Sequence, residues 1–306
     1  MGSQPKANSV RGDYAGSMRI AIAGSHGLIG HALTQHLRRG GHEVVRLVRH
    51  APISPDERQL SDSMLEGVDA VVNLAGAGIA NARWTAKRRA ELVNSRVQTT
   101  RTIVAALEAS STCRVFLSGS AIGFYGDSGD EILTEQSAAG SGFLADLVGQ
   151  WEAEAARAPE RVRVVMLRTG HVIAAHGGLI GKQSLIYRAG LGGRIGSGRQ
   201  WVSWISLRDW VAAAEHLLTS QVSGPVNLVG PRPVRNLDFT RALGRAFRRP
   251  TVLPLPLPVA RVMFGSEMVE DAMLAGQRVE PKVLLEDGFT FTDETIDEAL
   301  SGAGVG

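Results

Sequence analysis

The sequence predicts an α/β fold: a doubly wound parallel sheet with a smaller C-terminal α+β cap domain. Three observations predict it. First, a short apolar strand, MRIAIAG from Met18, leads into glycines spaced three apart, Gly24, Gly27 and Gly30. Second, Leu28, Ile29, Ala32, Leu33 and Leu37 recur at helical spacing until Gly40-Gly41, and a second strand covers Glu43 to Val48. Third, strand and helix patterns keep alternating as far as Leu167, as a parallel sheet with crossover helices requires.

The elements follow in order. From His50 to Gly67 the pattern is weak, so a third strand is short or missing, although Ser54-Pro55-Asp56-Glu57 carries the residues of a helix start. Asp69 to Leu74 is a buried strand followed by the small-residue turn Ala75-Gly76-Ala77-Gly78. A long helix is expected over Thr85 to Ala109, a strand over Arg114 to Leu117, a helix over Gly142 to Arg157 and a strand over Arg163 to Leu167. After Gly170 the runs HGGLIG and GLGGRIGSG predict a surface excursion. A helix from Leu207 to Leu218 and a strand from Val226 to Val229 return to the sheet, and LPLPLP with short amphipathic helices opens a cap. The expected organisation is a leader or tag over 1–17, a nucleotide-binding domain over 18–175 and 205–230, and a small substrate or cap domain over 176–204 and 231–306. No internal repeat is visible.

Composition narrows the class. A hydrophobic share of 44% and a charged share of 21% in 306 residues exclude disorder, collagen and coiled coil as overall classes. The net charge of +3 is not gathered into a long run, which argues against a nucleic-acid partner and leaves phosphate-bearing small molecules as natural ligands. The richest apolar stretch, Thr251 to Gly265, is broken by Pro254, Pro256 and Pro258, so no membrane span is expected. A single cysteine, Cys113, points to a reducing compartment, the cytoplasm by default. The histidines His26, His31, His36, His42 and His50 lack the spacing to share a helix face, and no metal site is expected.

Glycines at this spacing between a strand and a helix have distinct uses. Gly24 permits a tight turn, Gly27 lets the backbone approach a pyrophosphate, and Gly30 lets helix and strand pack closely. The helix N-terminus, at Leu28 and Ile29, then offers free amides to phosphate. The second strand ends Leu47-Val48-Arg49, with no acid to hold a ribose hydroxyl pair. A guanidinium there suits the extra phosphate of NADP(H), the expected cofactor, against the alternative of a plain surface arginine.

The residues also resemble a family, the extended or atypical short-chain dehydrogenases, and within them the epimerase-like proteins labelled nucleoside-diphosphate-sugar epimerases or cell-division inhibitors. The likeness rests on AGSHGLIG, VVNLAGAGI, the pattern Arg83, Trp84, Lys87, Asn94, Ser95, Arg96, Thr99, and SGSAIGFYG. It continues through GQWEAEA, LRTGHVI, GLGGRIGSGRQWVSWISLRDW and the tail from LPLPLPVARVMFG. The resemblance implies a Rossmann domain with NADP(H). It implies that Val48 and Arg49 face the adenosine ribose and its phosphate, that Leu74, Ala75 and Gly76 line the turn after the next strand, that Glu91 and Arg96 border the cofactor, and that Val172 lies by the nicotinamide. Taken alone, Glu91 and Arg96 read as a solvated helix face.

Such dehydrogenases usually carry a serine and then a Tyr-Lys pair four apart, because hydride transfer to a carbonyl needs a proton donor beside it. Ser120 stands where the resemblance puts the serine. The pair's expected places, near Phe143 or Leu144 and near Leu147 or Val148, are apolar, and no lysine occurs between Lys87 and Lys182. Ser120 and Tyr125 are the candidate catalytic residues, with Asp146 and Glu152 as further nearby acids that otherwise read as helix-surface charges. His171 reads as a hydrogen-bonded histidine beside the nicotinamide end. Arg199, Trp201 and Trp204 are the expected substrate wall, with either tryptophan alternatively a loop anchor. Arg241, Arg245, Arg248 and Arg249 share a helical face, a solvated surface or a mark for an acidic partner. Two functions stay open: an NADP(H)-dependent epimerase-like oxidoreductase acting on a small molecule, or a noncatalytic NADP(H)-binding regulatory or interaction protein.

Overall fold

The computed structural model of the chain describes residues 16–49, 53–61 and 63–306. The leader expected over 1–17 therefore lies almost wholly outside the described residues, as does His50. Strand β1 (Arg19–Ala23), helix α1 (Leu28–Arg39) and strand β2 (Glu43–Val48) form where apolar periodicity puts them. The third strand is short, β3 (Glu57–Gln59), and no helix starts at Ser54. The would-be capping groups are drawn elsewhere: Arg46 Nε donates to Asp56 at 2.9 Å, and Arg38 and Ser54 bind the same carboxylate. The Arg46 hydrogen bond leads in holding Asp56 far below the usual carboxylate range.

Next come β4 (Ala70–Asn73), α2 (Ala86–Ala109), β5 (Val115–Ala121), β6 (Ile132–Leu133), α3 (Phe143–Ala155), β7 (Arg163–Thr169) and β8 (His171–Ile173). Thr85 caps α2 by accepting from the Arg88 amide at 3.2 Å. β5 runs past Leu117 because Ser118, Gly119 and Ser120 are as buried as the apolar half of the strand. The glycine-rich stretch expected to be a surface excursion holds a helix, α4 (Gly178–Arg188). Ile180 and Tyr187, two turns apart, face inward, and Tyr187 stacks on Phe247 with ring centroids 5.9 Å apart.

The chain continues through β9 (Trp201–Val202), β10 (Trp204–Ser206), α5 (Leu207–Thr219), β11 (Gly224–Leu228), β12 (Val234–Arg235), α6 (Asn236–Phe247), α7 (Leu257–Phe264) and α8 (Ser266–Met268). A π-helical turn (Val269–Leu274), β13 (Arg278–Val279), α9 (Lys282–Glu286) and α10 (Ile296–Gly302) complete it. Among the described residues no helix is long and apolar enough to cross a membrane.

The central sheet has seven strands in the order β11-β7-β5-β4-β1-β2-β3, and every pairing is parallel. It is the Rossmann arrangement, with the strand order reversing between β1 and β4, where a crevice opens at the strands' carboxyl ends. Alternate residues serve opposite faces. Ile20, Ile22 and Val72 pack with Leu33 and Leu37 of α1 and Trp210 and Leu217 of α5. Ala21, Ala23 and Val71 pack with Ile103, Val104 and Leu107 of α2.

The C-terminal third does not sit apart from this sheet. Leu284, Phe289 and Phe291 belong to the same core as Ile20 and Leu228, and β13 pairs with β6. Ile296, Ala299 and Leu300 of α10 pack instead with Ile173, Trp204 and Phe239 in a second core.

Candidate functional site

At the end of β1 the chain turns so tightly that side chains are excluded. Gly24 has φ of +80°, and a Cβ there would lie 2.6 Å from the Leu74 carbonyl carbon; one on Gly30 would run into the Gly24 carbonyl. The Gly27 amide closes the turn on Gly24 O at 3.0 Å. Gly27 then stands at the cap of α1 with no side chain to bond the helix amides, and the first turn has no acid. The first intrahelical bond is His31 N to Gly27 O at 2.8 Å, so the amides of Leu28, Ile29 and Gly30 are left for another acceptor.

Two crevices meet at Gly24. One, of about 500 Å³, runs along α3 and is lined by Gly24, Gly27, Leu28, Ile29, Gly30, Leu74, Arg96, Ser120, Val172 and others. The second, along α2, is lined by Val48, Arg49, Ala75, Gly76 and Glu91, with His26, Ser95 and Thr99 beside them. All the residues named from the sequence for the dinucleotide thus border one of two adjoining crevices.

Their charges differ in how they are met. Arg49 is exposed at the rim, its guanidinium donating to Thr99 Oγ1 at 3.0 Å, and no carboxylate pairs with it among the described residues. Glu91 rims the same crevice, but Arg88 holds its carboxylate at 2.7 Å. Arg96 donates to the Leu92 carbonyl at 3.0 Å and lies 5.3 Å from the Trp151 ring centroid. No acid pairs with it among the described residues, and burial, with Arg88 nearby, pushes its pKa down to about 10. A guanidinium drawn out of water without an anion leaves a need that an anionic ligand meets.

The α3 crevice has a different wall. Leu144, Leu147 and Val148, at the places where the resemblance puts the Tyr-Lys pair, line it with hydrocarbon. Ser120 also lines it, and its hydroxyl donates to Glu152 Oε1 at 2.5 Å. Glu152 is no surface charge: it is 9% exposed and takes both Nε and Nη2 of Arg168 at 2.8 Å. Arg168 in turn donates to the Tyr125 hydroxyl at 3.0 Å.

Several expectations are corrected here. Tyr125 is 1% exposed, and its hydroxyl is spent on Asn227 Oδ1 at 2.7 Å, away from the crevice, so it cannot meet a substrate. Burial raises its pKa, which keeps the phenol neutral. Trp204 is fully buried, with Nε1 on the Arg232 carbonyl, and is core rather than substrate wall. Trp201 donates to Asp130 at 3.0 Å between Arg235 and Arg278, and Arg199 gives its carbonyl to Arg235; neither lines the two crevices. Asp146 is exposed on α3, outside both. On α6, Arg241 pairs with Asp238 and Arg245 with Asp297, as on an ordinary solvated surface.

The far wall of the α3 crevice comes instead from Asp271, Ala272, Ala275 and Gln277, which sequence reasoning missed. Asp271 accepts from the Phe143 amide at 3.0 Å, capping α3 from a segment far along the chain. Burial raises its pKa, with the Phe143 amide opposing. His171 lines the crevice, and its Nδ1 lies 3.2 Å from the Ser203 carbonyl. A carbonyl only accepts, so Nδ1 carries the hydrogen and Nε2 is an acceptor.

Comparison with known proteins follows the same outline. Residues 20–230 match the model of the NAD dependent epimerase/dehydratase family, and residues 255–303 match a domain of unknown function, DUF1731. Epimerase family protein MT2273 of Mycobacterium tuberculosis (strain CDC 1551 / Oshkosh) is 43% identical over 293 residues, covering 93% of this chain and 97% of its own. Epimerase family protein SDR39U1 of Homo sapiens is 36% identical over 292 residues, covering 92% and 98%. A crystal structure of human epimerase family protein SDR39U1 (isoform2) with NADPH superposes with a TM-score of 0.88 at 33% identity, covering 94% of this chain and 99% of that one. Bordetella bronchiseptica WbmG, in complex with NAD and UDP, shares the fold alone, with a TM-score of 0.72 at 18% identity, covering 95% and 97%.

Proposed function

The chain belongs to the NAD dependent epimerase/dehydratase family, and on that premise we propose that it is an NADP(H)-dependent oxidoreductase of the epimerase-like, atypical short-chain type, acting on a small molecule in the α3 crevice. The observation that carries this reading is Arg96, a half-buried guanidinium with no acid paired to it among the described residues, beside a helix N-terminus that has neither side-chain cap nor acid. Anionic groups of a dinucleotide supply both with what they lack.

The residues present fit the cofactor. The amides of Leu28, Ile29 and Gly30 would hold the pyrophosphate, Val48, Ala75 and Gly76 the adenosine side, and Arg49 the extra phosphate. Leu74 and Val172 would flank the nicotinamide half, which, once bound, supplies or accepts a hydride. NADPH in the human relative supports the choice of dinucleotide. Leu144, Leu147 and Val148 line the crevice with hydrocarbon, and a hydrogen bond made against an apolar wall is stronger than one made in open water.

The test is a titration with NADPH and NADH. NADPH should bind more tightly, and Arg49→Ala should remove about tenfold of that preference, as expected for one charge-assisted contact, while leaving NADH affinity unchanged. Equal affinities for the two would sink the phosphate assignment.

A second reading, a noncatalytic NADP(H)-binding regulator, is favoured by the hydrocarbon at Leu144, Leu147 and Val148. Deuteride transfer from labelled NADPH, screened over carbonyl compounds and sugar nucleotides, separates the two. Cys113, buried and unpaired, supports a reducing compartment such as the cytoplasm.

A further inference from the structure

Hydrocarbon left in water is concentrated away from both crevices. Among the described residues eleven large hydrophobic side chains are exposed, and eight of them fall in two stretches, 185–191 and 252–263. The two stretches adjoin. Arg249 Nε donates to the Arg188 carbonyl at 2.9 Å, the Leu255 amide donates to the Arg194 carbonyl at 2.9 Å, and a Cβ on Gly193 would run into the Leu253 carbonyl. Leu185 at the end of α4 is 77% exposed and Val252 in the loop before α7 is 81% exposed, so these side chains stand out from the surface. α7 continues the pattern, turning Val259, Val262 and Met263 outward at helical spacing.

Charge is concentrated in the same stretches. From Gly170 to Arg208 and from Phe239 to Ser266 the chain has no aspartate or glutamate and five Lys or Arg in each, although the whole protein carries only +3. Acids from elsewhere reach Arg208, Arg241, Arg245 and Arg261. None pairs with Arg188, Arg248 or Arg249 among the described residues, and all three are exposed.

We infer that this face rests on an anionic lipid bilayer, with Leu185, Val252 and Leu253 entering the interface and Arg188, Arg248 and Arg249 meeting headgroup phosphates. Hydrocarbon and a basic patch are two signals that together hold a protein on a membrane it does not span. The loop suits a layer poor in water: Pro250, Pro254 and Pro256 have no amide hydrogen, and Leu255 has given its own to Arg194. A second copy fits less well, because a two-fold contact through this face sets the guanidiniums against their own equivalents with no acid between them. A folded acidic partner would have to match side chains that protrude, whereas fluid lipid receives them in any outline.

The experiment sediments the full chain with vesicles of phosphatidylcholine alone and of phosphatidylcholine in which about a third of the lipid is phosphatidylglycerol. The protein should pellet with the anionic vesicles only, and less so as salt is raised. Replacing Arg188, Arg248 and Arg249 together by Gln should weaken binding about 100-fold, as three cations near an anionic surface contribute. Val252→Ser with Leu253→Ser should weaken it about tenfold. Both variants should keep the wild-type melting curve and NADPH affinity, since the substituted side chains are exposed and line neither crevice. Binding to neither vesicle, equal binding to both, or anionic binding that survives the arginine variant overturns the inference. So does self-association that the serine variant abolishes, without vesicle binding, which would make the face a contact between copies. Binding to polyglutamate without vesicle binding overturns it in favour of an acidic protein.

Discussion

The two ends of the crevice system are built on opposite terms. At the junction by Gly24 the working groups are backbone: a positive-φ glycine, amides of Leu28 to Gly30, and a helix without a cap. Along α3 the working groups are side chains held by other side chains, Ser120 by Glu152, Glu152 by Arg168, and α3 itself by Asp271. Backbone recognition is local, so its residues lie within one turn of sequence. The side-chain end gathers residues 120, 152, 168, 171 and 271 from four elements and a π turn, and can diverge in chemistry without disturbing the cofactor end.

The contrast can be broken most forcefully at Gly30. Gly30→Val would push its side chain into the Gly24 carbonyl, costing about 2–3 kcal/mol by overpacking and abolishing NADPH binding; denaturant melting and fluorescence titration read both. Retained NADPH affinity would mean that the turn is not the cofactor's seat. Next in size is Arg96→Met. Loss of one charged contact should weaken NADPH by about 10–100-fold, while stability holds because the half-buried guanidinium has no ion pair to lose among the described residues; a variant that binds normally but melts early would make Arg96 structural.

The smallest effect sharpens the other end. Burial lowers the His171 pKa, with the Ser203 carbonyl opposing. The folded chain therefore binds its proton less readily than the unfolded one, whose histidine titrates near about 6.5. The contribution is present above that pH and is lost as pH falls through the folded value. Melting between pH 7.5 and 5.5 should show wild type losing more stability than His171→Gln; parallel losses would place the histidine in ordinary solvent.

What was legible in the sequence follows the same division. The glycine turn from Gly24 to Gly30, β1, α1 and β2, the short third strand and α2 were readable because periodicity and spacing are local signals, whereas Leu74 to Gly76, Glu91 and Arg96 were named only through the family resemblance. Helix α4 was hidden because flanking glycines mask the inward stripe of Ile180 and Tyr187. Ser54 to Glu57 has the composition of a helix start, yet Arg38 and Arg46 claim Asp56 across space. Glu152 looked like a helix-surface acid because its partner Arg168 arrives on β7, and Trp204 looked like a ligand wall because aromatic residues in loops serve cores as readily as sites. Asp271 and Gln277 gave no signal, since their meaning comes from the Phe143 amide at the start of α3 and the Gly126 carbonyl that they touch.

The placement of Leu284, Phe289 and Phe291 in the core of β1 has a consequence for synthesis. On the ribosome the sheet's strands emerge first, but one flank of their hydrophobic face stays wet until residue 291 has left the exit tunnel. The nascent chain thus waits with exposed apolar surface, the state in which newly made chains aggregate or recruit chaperones. Nonsense truncations before Leu284 should accordingly accumulate as insoluble protein rather than as a free nucleotide-binding domain.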